Sequence, residues 1–296
     1  MQIIKATNLT KQYSFVKAVD NVNLTIEQGE VVGLVGKNGS GKTTLIKLLS
    51  NVALPTFGTV ERFDLDNPTD VSAIIESPAL YKNLTARQNM KIRCKLLGLP
   101  HDQQYVDKTL ELVGLFAKNK NKVEDYSLGM QQRLAIALCL LGRPKFLLLD
   151  EPINGLDPQG IKEVRELVQN LSASGVAILI SSHILSELSQ IATRYVFIDK
   201  GRIIKEMTQE QFEKINCGRM RLVTNQAGLA FSVLKEQGFD AQLVDAKVVE
   251  VATVMNVTDL IVLMSQHDVK IDTVSVAKPS LEDFYLRLLN GGDDNG

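Results

Sequence analysis

Eight consecutive residues, Gly36-Lys37-Asn38-Gly39-Ser40-Gly41-Lys42-Thr43, constrain this chain more than any other feature. They satisfy the pattern G-x-x-x-x-G-K-[ST]. Residues 30–35, Glu-Val-Val-Gly-Leu-Val, precede them and read as a short buried strand. Residues 42–50 follow as a helix with Leu45, Ile46, Leu48 and Leu49 on its apolar face. Strand, glycine loop and helix in this order form a cradle for a polyphosphate. Glycines let successive backbone N–H groups point inward, and the helix N-terminus adds partial positive charge. In such a cradle Lys42 reaches the β- and γ-phosphates, and the Thr43 hydroxyl sits on Mg²⁺.

A second element is Phe146-Leu147-Leu148-Leu149-Asp150-Glu151-Pro152. An apolar strand here delivers adjacent carboxylates at its C-terminal end, where ligands of α/β sheets bind. Asp150 is suited to organising Mg²⁺ and its waters, and Glu151 to orienting or deprotonating an attacking water. Alone, a strand ending in Asp-Glu-Pro is a weak signal and reads as a solvated turn; the phosphate loop gives it meaning. The third element is Tyr126-Ser127-Leu128-Gly129-Met130-Gln131-Gln132-Arg133, ahead of a helix over residues 134–141. Taken by itself it is a loop entering a helix, with Ser127 in the cap region.

Short β segments at residues 3–6 and 22–26, separated by a polar loop containing Tyr13, precede the phosphate loop. Residues 83–142 are mostly helical, punctuated by Gly98, Gly114 and Gly129. Residues 145–149 and 176–181 read as further core strands. Between them Asp157 and Pro158 supply an N-cap and first-turn proline for a helix that ends at Gly175. Residues 194–199 and 202–206 read as a hairpin around Lys200-Gly201. Strands alternating with helices give an α/β sheet with an all-helical insertion. Beyond about residue 205 the order changes. Strands at 220–224, 241–244, 247–252 and 269–276 interleave with helices at 226–237 and 257–266, and a last helix covers 280–289. This β-α-β-β-α-β order fits a small ferredoxin-like α+β domain.

Composition sets the outer bounds. A chain of 296 residues, 45% apolar and 23% charged, is long enough for two domains with ordinary globular cores. The net charge of −1 gives no support to a broad nucleic-acid surface. It divides as +5 over residues 1–205 and −6 over 206–296, so the basic part is the one that carries the phosphate loop. No apolar run approaches the ~20 residues of a spanning helix. The start lacks the charged and apolar regions of a signal peptide. Cys94, Cys139 and Cys217 are scattered and form no metal or disulfide pattern. These features lead to the expectation of a cytoplasmic protein.

The three motifs together, in this order and spacing, resemble the ATP-binding cassette (ABC) ATPases over residues 1–206. The resemblance implies a P-loop core with a β subdomain and a helical signature subdomain at about residues 77–143, an ABC domain over 1–205, and an accessory domain over 206–296. It implies ATP and Mg²⁺ as ligands. The nucleotide set comprises Tyr13 stacking on adenine, the loop residues Gly36, Asn38, Gly39, Ser40, Gly41, Lys42, Thr43 and Thr44, and Glu76. Ser127 and Gly129 of the signature and Asp157 of the D-loop join it. Thr43, Glu76 and Asp150 are the metal set; Lys42, Glu151 and the switch residue His183 are the catalytic set. His101 and His267 lack such context. Leu128 and Met130 depart from the Leu-Ser-Gly-Gly-Gln signature. Glu76 departs too, standing where the family usually has glutamine; similar glutamates occur in ATPases of bacitracin- and lantibiotic-type export systems. The run Pro279-Ser280-Leu281-Glu282-Asp283-Phe284-Tyr285 resembles the ending of drug-exporter ATPases. The family works as a head-to-tail dimer of cassettes on a membrane permease, so a second ATPase subunit and a permease are the implied partners, with the chain held at the cytoplasmic face of the membrane. An importer subunit with a C-terminal ligand-sensing domain, a soluble non-transport ATPase and a nucleotide switch without hydrolysis are the alternatives.

Overall fold

The computed structural model describes residues 1–76, 79–115, 120–215, 219–252, 256–277 and 280–289. Two compact units divide the chain, Met1–Gln209 and Glu210–Gly296.

The first unit opens with a long antiparallel hairpin, β1 (Gln2–Tyr13) and β2 (Val16–Glu27). Both strands run well beyond the short segments expected, because the apolar alternation continues through Leu9 and Val19, which are fully buried. The polar loop shrinks to a tight turn in which Ser14 takes a positive φ of 50°. The core strand β3 (Val31–Val35) is buried at every position and leads to helix α1 (Lys42–Leu49). Two strands that apolar patterning did not announce follow, β4 (Phe57–Arg62) and β5 (Val71–Ile74). They were missed because they carry few fully buried side chains. β4 pairs along β1 to give a three-stranded antiparallel sheet, and β5 is the edge strand of the main sheet.

The helical insertion holds α2 (Ala86–Leu96), α3 (Gln103–Leu112) and α4 (Leu128–Leu140). Thr85 and Gln88 form a reciprocal capping box on α2, which fixes where that helix begins. The chain then returns through β6 (Phe146–Asp150), α5 (Pro158–Ala173), β7 (Ala177–Ser181), α6 (Leu185–Leu188), β8 (Arg194–Asp199) and β9 (Arg202–Thr208). The main sheet has the order β5-β6-β7-β3-β8-β9, parallel except for β9. Its central strands are apolar on both faces, as a sheet covered on both sides requires. One core cluster joins that sheet, α1 and the β1/β2 hairpin, with Ile4, Leu9, Leu34, Leu45 and Leu148 all inaccessible to solvent. Because β3, β7 and β6 are adjacent and parallel, their C-terminal ends emerge side by side, and that edge carries the site.

The second unit begins with α7 (Gln209–Ile215), a short helix absent from the sequence expectation. It continues with β10 (Arg219–Val223), α8 (Ala227–Glu236), β11 (Ala241–Asp245), β12 (Val248–Ala252), α9 (Val257–Gln266), β13 (Thr273–Ala277) and α10 (Leu281–Leu289). The antiparallel order β11-β12-β10-β13, with α8 and α9 as the crossovers, is a ferredoxin-like arrangement. Strand β13 starts later than expected. Val269 is drawn instead into the closure of α9, its N–H on Met264 O at 3.0 Å, after Asp268 at φ 56°. Cys217 and Pro279 lie outside the described residues. No helix among the described residues is long and apolar enough to cross a membrane.

Candidate functional site

The turn from β3 into α1 leaves no room for a side chain at either end. A Cβ on Gly36 would come within 2.3 Å of Ser40 Oγ and 2.6 Å of Ile198 O. Gly41 adopts φ +109°, and a Cβ there would meet Ala18 O at 2.3 Å. Gly41 is also the N-cap of α1 and offers no capping side chain, so the amides of the first helical turn are left for an anion. Ser40 Oγ is buried and has no hydrogen-bond partner, which suits a loop built to bind a polyanion.

Lys42 is buried, with Nζ donating to Gly36 O at 2.7 Å and to Lys37 O at 3.2 Å. Nζ also lies 3.9 Å from Glu151 Oε1. Burial pulls this ammonium below its ordinary pKa, and Glu151 and Asp150 partly oppose that pull. Beside it, Thr43 Oγ1 donates to Asp150 Oδ2 at 2.8 Å. The other carboxylate oxygen, Oδ1, accepts from Ser181 Oγ at 2.6 Å. Glu151 has φ +52°, an unfavourable left-handed backbone for a non-glycine residue that costs about 1–3 kcal/mol. Its N–H donates to Ser181 O at 3.2 Å and Ser181 Oγ at 3.0 Å. Its Oε2 meets His183 Nδ1 at 2.5 Å and accepts from His183 N at 3.3 Å. An open cavity of about 700 Å³ is walled by Ala18, Asn38, Gly39, Gly41, Lys42, Thr43, Thr44, Glu151, Asn154 and His183.

Loop, Glu151 and His183 thus converge on one cavity at the sheet's C-terminal edge, with Asp150 buried behind Thr43. The ABC transporter family model matches residues 19–154. Over 98% of both chains, the protein is 37% identical to the bacitracin transport ATP-binding protein BcrA of Bacillus licheniformis. The chain belongs to the ABC transporter family. It is also 41% identical to the lantibiotic transport ATP-binding protein SrtF of Streptococcus pyogenes, over 72% of this chain and 94% of that one. Among solved structures, an ATP-binding cassette of an ABC transporter in its ADP conformation matches with a TM-score of 0.65 and 25% identity, over 73% of this chain and 94% of that one. A post-hydrolysis cassette dimer bound to ADP and Pi matches with a TM-score of 0.62 and 26% identity, over 70% and 99%. This ABC subunit binds and hydrolyses ATP.

The remaining residues implied by the family resemblance lie outside the cavity wall of the single ABC chain. Tyr13 is half-exposed at the end of β1, with Lys11 Nζ 5.1 Å from its ring centroid. Ser127 caps α4, its Oγ accepting from Met130 N at 3.2 Å. Gly129 borders the D-loop: a Cβ there would lie 3.8 Å from Leu156 Cδ2, and one on Gly155 would meet Leu128 Cδ2 at 2.8 Å. The leucine that departs from the signature therefore packs over the D-loop of its own chain. Asp157 accepts from Gly160 N at 3.0 Å as the N-cap of α5. Glu76 sits at φ 62°, and its carboxylate pairs with Lys47 Nζ at 2.8 Å. That lysine holds the Glu76 carboxyl below its ordinary pKa, and Glu76 raises the pKa of Lys47 in return. No hydrogen bond joins Glu76 to Thr43 or Asp150. Sequence reasoning passed over Lys47 as a partner of Glu76, and over Ser181. The second had a signal: it is the polar end of an otherwise apolar strand, in register with Asp150.

Among the described residues, no group of three His, Cys, Asp or Glu side chains could hold a metal ion. The Thr43–Asp150 oxygen pair suits a cation that takes most of its ligands from phosphate and water, as Mg²⁺ does.

Proposed function

We propose that this chain powers the export of a peptide antibiotic or a similar amphipathic compound through a separate permease, as a Mg²⁺-dependent ATPase working in a cassette dimer. The likeness to the bacitracin transport protein along nearly the whole of both chains supports the cargo class. The observation that carries the hydrolytic reading is the meeting of Lys42, Thr43, Glu151 and His183 at one cavity, with Asp150 held behind Thr43.

Residues 36–44 hold the triphosphate by backbone amides, with Lys42 swinging from Gly36 O and Lys37 O onto the β- and γ-phosphates. Thr43 and Asp150 would hold Mg²⁺, which when bound neutralises charge on the phosphate oxygens. Glu151 accepts a proton from the water that attacks the γ-phosphorus as the bond to the β-phosphate oxygen breaks, giving ADP and phosphate. His183 takes a place on the γ-phosphate, released from Glu151 by the incoming ligand. Tyr13 stacks on adenine. Ser127 and Gly129 cap the γ-phosphate of the partner cassette, which accounts for their absence from the cavity of their own chain, and Asp157 approaches the same interface. Glu76 would have to release Lys47 to reach a metal.

We assign the ATPase domain to the first unit and an accessory role to the second. The permease contact falls on a cavity of about 350 Å³ lined by Val52, Ala73, Ile75, Leu80, Arg93 and Leu138, with Val52, Leu54 and Tyr81 exposed in this unit. Such a contact would hold the chain at the cytoplasmic face of the membrane. The test is affinity purification from membranes of cells making the tagged chain. Recovery of an integral-membrane partner and ATP-dependent protection against a peptide antibiotic are expected. ATP hydrolysis by a chain that brings down no membrane protein would remove the transport reading.

A further inference from the structure

We propose that Ser181 is a positioning residue for ATP hydrolysis, its hydroxyl fixing the peptide of Glu151 and the carboxylate of Asp150 together. The inference rests on Glu151 acting as the base. Ser181 is the last residue of β7, fully buried, and in register with Asp150 of β6 on one side and Leu34 of β3 on the other. It stands between the strand that ends in the carboxylates and the strand that ends in the phosphate loop.

A hydroxyl has one proton to give and lone pairs to receive. Here the proton goes to Asp150 Oδ1 at 2.6 Å. The oxygen is thereby turned to accept from Glu151 N at 3.0 Å. The same N–H also reaches Ser181 O at 3.2 Å. Glu151 occupies the left-handed region at φ +52°, a backbone that persists only when its surroundings impose it. Ser181 is the residue that binds this strained peptide from both its main chain and its side chain. Asp150 is bracketed in turn, Ser181 on Oδ1 and Thr43 on Oδ2 at 2.8 Å, so its carboxylate plane is set by two hydroxyls. One oxygen atom therefore couples the direction of the general base to that of the carboxylate beside it.

Removing the hydroxyl leaves Asp150 Oδ1 without a partner in a buried place and Glu151 N with the longer bond only. Ser181 is fully buried and does not line the cavity, so binding should be spared and turnover should not. In Ser181→Ala, kcat should fall about tenfold to a hundredfold, the scale of a misplaced reacting group. ATP affinity measured without Mg²⁺ should change by less than about threefold. Amide exchange at Glu151 in the nucleotide-free protein should accelerate. Ser181→Thr and Ser181→Val form a pair matched in shape that differs in the hydroxyl alone. Both carry the same extra bulk into the strand, and Thr should turn over about tenfold faster than Val. Equal turnover in that pair overturns the proposal, as does Ser181→Ala with unchanged kcat or unchanged Glu151 exchange. The exchange measurement judges the anchoring by itself, whereas near-normal hydrolysis in Glu151→Gln would remove the base assignment and leave the exchange result standing.

Discussion

The main sheet of the first unit and the sheet of the second unit use polar residues in opposite ways. In the first unit the central strands are apolar on both faces, and their polar groups are concentrated at the C-terminal ends, in Gly36–Thr43, Asp150-Glu151 and Ser181-Ser182-His183. In the second unit polar residues lie within the strands. Arg221, Glu250, Gln242 and Ser275 stand opposite one another across β10, β12, β11 and β13, while Met220, Leu222, Val249 and Val251 alternate with them and are fully buried. A parallel sheet covered on both faces gathers chemistry at one edge. An antiparallel sheet with one covered face makes a platform, and its alternation specifies packing rather than a reactive centre.

The largest expected effect breaks the first sheet's edge. Glu151→Gln keeps size and the backbone anchor but removes the acceptor for a proton, so kcat should fall by roughly 10²–10⁴. Nucleotide affinity should persist, and the ATP-bound dimer should accumulate. Phosphate release beside fluorescent-nucleotide binding and gel filtration checks this. A near-normal rate would remove Glu151 as the general base.

The matching perturbation of the second sheet is Leu222→Ala, at a fully buried position of β10 in the second core cluster. A cavity there should cost about 2–5 kcal/mol of stability. Calorimetry should show the second unit melting earlier, with kcat for ATP unchanged below that transition. A parallel loss of turnover would show that the platform serves the active edge.

Most of this contrast can be read without coordinates. Gly36–Thr43 and Asp150-Glu151 announce themselves because polyphosphate chemistry demands those residue types at fixed spacing. The ferredoxin-like order was visible because Met220–Val223 and Val248–Val251 alternate or run apolar between turns. What stayed hidden has physical reasons. β4 and β5 are edge strands whose burial is partial, so period-2 patterning is faint. α7 is only seven residues long and presents a single buried side chain, Phe212. The Lys47–Glu76 pair joins residues 29 positions apart and depends on how α1 sits against the end of β5. Ser181 is legible only when strand order places β7 between β6 and β3.

A smaller effect separates two roles that one residue holds at the first sheet's edge. Asp157 caps α5 through Gly160 N. Asp157→Ala should cost about 1 kcal/mol of stability. Asp157→Asn preserves the cap and should melt as the parent does. Any loss of ATPase in the Asn variant then belongs to the charge at the cassette interface, and equal ATPase in both would confine Asp157 to capping.

The smallest expected effect is at Glu76. The Glu76 carboxylate is exposed and engaged by Lys47 at 2.8 Å, so glutamine there leaves a neutral side chain beside a lysine whose pKa returns toward its ordinary value. Exposed ion pairs are weak, and ATPase at saturating Mg²⁺ should change by about fivefold or less. The informative measurement is at limiting Mg²⁺. If the carboxylate leaves Lys47 for the metal when nucleotide binds, Glu76→Gln should need more Mg²⁺ for half-maximal turnover and should weaken coupling to transport. In Lys47→Met, with Glu76 kept, half-maximal turnover should need less Mg²⁺ than in the parent, because nothing then competes for the carboxylate. Superimposable Mg²⁺ titrations and unchanged transport would leave Glu76 as a surface partner of α1 and restrict the metal set to Thr43 and Asp150.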